Sequence, residues 1–363
     1  MITYAVVLLL VAFFSYLAQL SVQKNIDSNG IARIRKSRDT KIFLFIVTAI
    51  FTVTAGCRYY VGTDYYSYIL LYEQNYSVMT FRDFLEFDEP IVPLFGKISY
   101  LLFDNYFFMF FAVSVMTVGL MLYSTFKETE DYFYITLLYF FTGGWVGTFN
   151  AIRQFLAVAI VFIGRKYITE RKFWKFLLVC AIAFLAHKSA MFCVLIYFVY
   201  SEKFTMKRLL IITAITIVVS RSYEYMFDLV GWVKDTEFIP NDYALRSVNV
   251  LRILAGCAPA VLSIYYGFTR KLDKQQIFYA YMLIVNAAIK IATGDSAYLA
   301  RLALYTGVFV PLGLNSIFKA TDKRYYILLK IIAIILYMIF WAYEVIITDN
   351  LRNFQWIFGH LNN

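Results

Sequence analysis

Apolar runs of roughly 14 to 23 residues recur from one end of the chain to the other, with short polar breaks between them. They cover approximately residues 2–22, 42–57, 106–126, 132–148, 150–164, 174–187, 190–203, 209–222, 249–269, 276–293, 298–318 and 325–347. Only helices and closed barrels satisfy their own backbone in lipid, so this succession predicts one all-α, polytopic membrane domain over 1–363 with about twelve transmembrane helices. The stretch 91–103, IVPLFGKISYLLF, is short for a crossing and carries Lys97 at its middle. It is expected outside, as an interfacial or re-entrant helix. The first run has only Met1 before it and a basic stretch after it, the reverse of a cleaved signal peptide, so it is kept as a helix.

Composition agrees: of 363 residues 61% are hydrophobic and 16% charged, with a mean hydropathy of +0.65. A soluble enzyme is excluded, since such chains are about 25% charged. The net charge of +10 is unevenly distributed. Basic residues cluster at Lys24, Arg33, Arg35, Lys36, Arg38 and Lys41, then at Arg165, Lys166, Arg171, Lys172 and Lys175, with smaller groups at 203–208, 270–274 and 319–324. All of these reach the cytoplasm if both termini face outward and 91–103 does not cross. The long breaks at 58–105 and 223–248, both acidic, then lie outside. The positive charge is a topology signal, and no motif for nucleic acid accompanies it. Cys57, Cys180, Cys193 and Cys257 stand singly, and the histidines are His187 and His360, which argues against a disulfide framework, a zinc site or a haem. No metal and no other cofactor is expected.

In this topology the costly polar residues gather at the outer ends of spans, where an ionisable group usually faces a wet or protein-lined site. The run CRYYVGTDYYSY places Arg58 at the exit of the second span, with Gly62 for a turn and Asp64 among tyrosines. An aromatic interfacial belt accounts for the tyrosines but not for Arg, Gly and Asp at these spacings. Asn150, Arg153 and Gln154 share one helix face. His187 with Lys188 sits in an outer turn, a candidate base or phosphate ligand. Arg246, Asn249 and Arg252 lead into the ninth span, and Lys290, Asp295, Arg301 and Tyr305 surround the junction of the tenth and eleventh. Arginine forms a bidentate fork with phosphate and is cheaper to bury than lysine. The convergence predicts a pocket for the diphosphate headgroup of a lipid. The acidic outer loop, Glu89 included, offers acceptors for sugar hydroxyls; solvation accounts for Glu86, Asp88 and Glu89 better than a metal does.

Four runs, RYYVGTDYYSY (58–68), NAIRQFLAVAIVFIGRKYI (150–168), HKSA (187–190) and ARLALYTGVFVP (300–311), resemble in order the EpsG-type family of Wzy polysaccharide polymerases. The resemblance implies a GT-C-like membrane bundle in the inner (plasma) membrane, acting at its outer face. It implies a metal-independent glycosyltransferase that joins undecaprenyl-diphosphate-linked repeat units of O antigen, capsule or exopolysaccharide. Its partners would be the lipid-linked donor and acceptor, the bilayer, and a chain-length regulator and flippase. Arg58, Asp64, Arg153, His187 and Arg301 fall in the matching runs, whereas Arg252 and Lys290 rest on topology alone. The expected roles are diphosphate binding for Arg58, Arg153, Arg301, Arg252 and Lys290; glycan binding for Asn150, Gln154, Glu89 and Tyr305; and proton transfer for His187 or Asp64. His187 is favoured as base, because a carboxylate beside Arg58 loses basicity whereas an imidazole accepts a proton near neutrality. An O-antigen ligase shares the donor and leaving group and stays open from sequence. A lipid-linked glycan flippase is the other alternative, although it would need cations within spans on the inner side too.

Overall fold

The computed structural model describes every residue except 27–31, 81, 223–224, 226, 229–231, 233–245, 348 and 361–363. The expected outer loop at 223–248 therefore lies largely outside the described residues. Two compact units form, one from Met1–Ala159 with Ala333–Asn363 and one from Ile160–Ile332.

In the first unit, α1 (Ile2–Leu20) packs on α2 (Arg38–Gly56) and on α6 (Tyr132–Phe141), and α2 packs on α5 (Phe107–Phe126). Ser37 caps α2 by accepting the Thr40 N–H, with Asp39 in the first turn where the helix dipole favours an anion. In lipid, helices associate by close packing more than by hydrophobic exclusion. The unit is accordingly cemented by interlocked rings of Tyr4, Phe51, Phe140, Trp145 and Trp341, and the Trp145 indole donates to the Phe51 carbonyl at 3.0 Å. Between α1 and α2, β1 (Val22–Ile26) and β2 (Ala32–Lys36) form an antiparallel pair. The all-helical expectation missed it, although Arg33-Ile34-Arg35 alternates with a strand's period of two.

The polar breaks sort to two ends of this unit. At one end Lys36 Nζ donates to the Phe126 carbonyl, Ser21 meets Thr40 at 2.8 Å, and the Phe133 N–H donates to Gln19 at 3.2 Å. At the other, the Met1 amine donates to the Arg352 carbonyl at 3.1 Å, and residues 57–59 pair with 355–357. The end holding the first basic patch is thus opposite the end holding Arg58.

The second unit is built on α12 (Lys274–Ala292), preceded in the chain by α8 (Phe173–Phe184), α9 (Val194–Val199), α10 (Met206–Arg221) and α11 (Val250–Thr269). Residues Ile277 to Ala287 of α12 are buried on every side. Around it lie α10, α11 and a broken element made of α13 (Leu304–Gly307) and α14 (Val310–Phe318). A capping box of Asp273 and Gln276 starts α12. The buried Asn286 amide donates to the Ala303 carbonyl and to Thr306 Oγ1, both at 3.0 Å, satisfying backbone freed where the broken element unwinds. Here too the basic groups share an end: Arg171 donates to the Tyr200 carbonyl, Arg208 to the Phe198 carbonyl, Lys274 pairs with Glu202 and Arg270 with Asp322, all within 3.0 Å.

Among the described residues five helices are long and apolar enough to cross a membrane: α1, α2, α5, α11 and α15 (Lys323–Ile347). Counting residues 299–318, bent by 47°, as one span makes six. The other apolar runs are also helical but shorter or lower in hydropathy. The run at 132–148 becomes α6 and a 3₁₀ turn at Val146–Phe149, and the run at 190–203 becomes a 3₁₀ segment at Lys188–Cys193 followed by α9. The architecture is a helical membrane bundle. The thirteen-residue α4 (Ile91–Phe103) occupies the stretch read as too short to cross, and packs on α5.

Candidate functional site

Arg58 follows directly on α2, with its backbone bridged to Trp356 and its neighbours hydrogen-bonded to Gln355 and Ile357 at 2.9 Å. Its side chain turns inward and is 1% exposed. Nε donates to the Val61 carbonyl at 3.1 Å, Nη2 to the Phe149 carbonyl at 3.0 Å, and Nη1 to the Ala55 carbonyl. The rings of Phe110 and Phe149 lie 5.2 Å from the guanidinium carbon and that of Tyr65 at 5.5 Å. Burial pulls the pKa down to about 10, so the group keeps its charge at neutral pH. Tyr65 at the start of α3 (Tyr65–Leu71) donates back to the Arg58 carbonyl at 3.0 Å and stacks on Phe110 at 4.4 Å. Arg58 is expected on the donor diphosphate; in this structure its fork donates to carbonyls of its own chain, which joins the end of α2 to the turn before α7 (Ile152–Thr169).

That turn meets residues 61–64. Gly62 has φ +109°, and a Cβ there would stand 2.6 Å from the Phe149 carbonyl oxygen and 2.8 Å from Asn150 Oδ1. Only glycine permits both the conformation and the approach. Beside it Thr63 donates to Asp64 Oδ1 and to Asn150 Oδ1, both at 3.1 Å, and Asp64 Oδ2 accepts the Ala151 N–H at 2.9 Å. Ala151 itself has φ +45°. Asp64 thus sets a carboxylate at the positive end of α7 and fixes the strained residue from which the helix starts.

Two residues on, Arg153 is 35% exposed in its side chain. Nη1 donates to Glu89 Oε2 at 2.8 Å, and the Tyr68 ring lies 5.9 Å from the guanidinium carbon. Its Nε is buried with no hydrogen-bond partner. Glu89, 12% exposed in its side chain, precedes α4, whereas Glu86 and Asp88 nearby are exposed. Gly96 of α4 lies against the Tyr76 ring, where a Cβ would come within 2.6 Å, and Lys97 donates to the Ser77 carbonyl at 2.8 Å. These contacts seat α4 on the π-helical turn Tyr72–Tyr76. Gln154 is buried beside Arg153 in sequence, and Asn150 is half-buried.

The second unit holds the remaining candidates. His187, half-buried and extended at φ −160°, donates its backbone N–H to the Ala183 carbonyl and accepts the Ala190 N–H at its own carbonyl, both at 3.0 Å. It thereby ends α8 and opens the 3₁₀ segment. Ser189 meets the buried Tyr305 hydroxyl at 3.0 Å, which joins the HKSA run to the Ala300–Pro311 run. Lys290 crosses α11 at Gly256 and donates to the Arg252 carbonyl at 3.2 Å, while the Arg252 side chain is exposed and Arg301 is half-buried.

The structure brings Arg58, Asp64, Glu89, Asn150 and Arg153, separate candidates in the sequence, into one cluster of the first unit. The roles of Tyr68, Phe149 and the 355–357 segment were not among the candidates, because a carbonyl acceptor or a ring wall leaves no polar signature. A family model described as the EpsG family matches residues 41–357. Neither a curated protein nor a solved structure matches the chain significantly.

Proposed function

The chain belongs to the EpsG family, and from that premise we propose that it is a polysaccharide polymerase, a metal-independent glycosyltransferase at the outer face of the plasma membrane. Two lipid-linked repeat units react: an acceptor hydroxyl attacks the anomeric carbon of the donor, the bond from that carbon to the diphosphate oxygen breaks, and undecaprenyl diphosphate leaves. The observation that carries this reading is Arg153, a half-exposed guanidinium on the first turn of α7 with its start pinned by Asp64. Charge grows on the diphosphate oxygens as the bond breaks, and a fixed guanidinium stabilises that charge without reorganising. Arg301, Arg252 and Lys290 are proposed as further cations for lipid phosphate, and Tyr305, Asn150 and Gln154 as glycan contacts. Arg58 acts by positioning. His187 is proposed to take the proton of the acceptor hydroxyl, since Asp64 is committed to the Ala151 N–H. The twelve-span, GT-C-like topology with both termini outside belongs to the same proposal, and the sorting of basic groups to one end of each unit supports it.

Mass analysis of carrier-linked glycans from cells lacking the protein tests the reaction class. Single repeat units on the carrier are expected. Complete polymer on the carrier would point to a ligase instead. For the base, polymerisation by purified protein in nanodiscs across pH 5 to 8 is decisive: His187→Ala should lose about 10²-fold or more in rate and flatten the acid limb. If Asp64→Asn removes that limb instead, the roles exchange.

A further inference from the structure

Glu89 is 12% exposed in its side chain, an unusual place for a carboxylate, and what it meets there is Arg153. The contact runs from Nη1 to Oε2, while Nε of the same guanidinium is buried with no partner. An arginine engaged by a bidentate phosphate commonly spends two N–H groups on it; here Glu89 takes one through Nη1, the Tyr68 hydroxyl also bonds to the side chain, and Nε is left over. The two partners are also held independently. Arg153 is placed by the Asp64 contact to Ala151 at the start of α7, and Glu89 by the short link into α4, which is seated on Tyr76 and Ser77. Removing either carboxylate or guanidinium leaves the other's anchorage intact.

We propose that Glu89 is a resident counter-anion that occupies Arg153 when no donor is present and is displaced by the donor's diphosphate, which then takes the fork. This rests on the reading of Arg153 as a diphosphate ligand, and it replaces a glycan contact as the role of Glu89. A carboxylate is singly charged and a diphosphate carries more charge and more acceptor oxygens, so the exchange favours the diphosphate while rejecting weaker anions. It also spares the protein an uncompensated, partly buried cation between turnovers.

The test is calorimetric binding of inorganic pyrophosphate to the full chain in nanodiscs. Glu89→Gln removes the competing charge at nearly constant shape and should bind pyrophosphate about fivefold more tightly than the wild type, the scale of a part-exposed ion pair. Glu89→Ala should shift in the same direction, which guards against a folding defect peculiar to one variant, and size-exclusion profiles should match the wild type. Arg153→Ala should abolish binding with either residue at position 89. Equal or weaker binding by both Glu89 variants overturns the counter-anion role, as does no measurable binding in any of the proteins. If Arg153→Ala leaves wild-type affinity unchanged, the donor reading of Arg153 falls as well, so the two failures are distinct.

Discussion

Arg58 and Arg153 belong to the same unit, yet the chain uses them in opposite ways. Arg58 is 1% exposed and gives its fork to three carbonyls between three aromatic rings. Arg153 is 35% exposed, has an ion pair to Glu89 and keeps an unpartnered Nε. An arginine whose fork is spent on backbone carbonyls serves the architecture, because a ligand would have to leave those buried acceptors unpaired. An arginine held by side chains, with one N–H unpartnered, retains capacity for an incoming anion. The distinction separates two residues that look alike in the sequence as cations beside apolar runs.

The sharpest break in this comparison is Arg58→Lys. An ammonium keeps the charge but cannot reach the Val61, Ala55 and Phe149 carbonyls from one plane. Orphaning buried acceptors costs about 1–3 kcal/mol each, so a loss of roughly 3–5 kcal/mol is expected, read as a large fall in thermal midpoint in detergent and in yield of folded protein. A variant that stays folded but binds pyrophosphate weakly would return Arg58 to the donor site.

Arg153→Lys should do the reverse. Polymerisation is expected to fall about 10²-fold, the usual scale for removing one donor to a developing oxyanion, with the thermal midpoint nearly unchanged. Full activity of this variant would make Arg153 a surface cation and collapse the contrast.

Much of this was legible in the sequence, for identifiable reasons. Apolar runs long enough to bury a helix reveal themselves by composition, which is why α1, α2, α5, α11 and α15 were expected within a few residues of their ends. The run interrupted by Gly143-Gly144 breaks into shorter pieces, since continuity depends on backbone geometry that hydropathy ignores. Arg58 and Arg153 were both visible as out-of-place cations. Their opposite fates were not, because what separates them is the arrangement of carbonyls at Val61 and Phe149, and every residue has a carbonyl.

Gly62→Ala probes the joint that the two arginines share. The new methyl group would meet the Phe149 carbonyl oxygen at 2.6 Å in a backbone at φ +109°. A cost of about 1–3 kcal/mol is expected from strain alone. Phe149 is the Arg58 acceptor and lies four residues before Arg153, so stability and activity should fall together. A fall in one alone would mean that this joint does not position α7.

The smallest effect is expected at Asp64. Asp64→Asn keeps an oxygen for the Ala151 N–H but removes the negative charge facing the start of α7, an interaction of about 0.3–1 kcal/mol at a partly exposed helix end. The thermal midpoint should drop by a few degrees at most. Activity should fall less than in Arg153→Lys, because the arginine keeps its fork and loses only part of what fixes its helix. Because the carboxylate's contribution is electrostatic and half-exposed, raising the salt concentration should narrow the difference between wild type and variant. A loss of activity as deep as that of Arg153→Lys, unaffected by salt and with folding intact, would instead put Asp64 on the substrate, and the line drawn here between positioning and contact would then run through Arg58 alone.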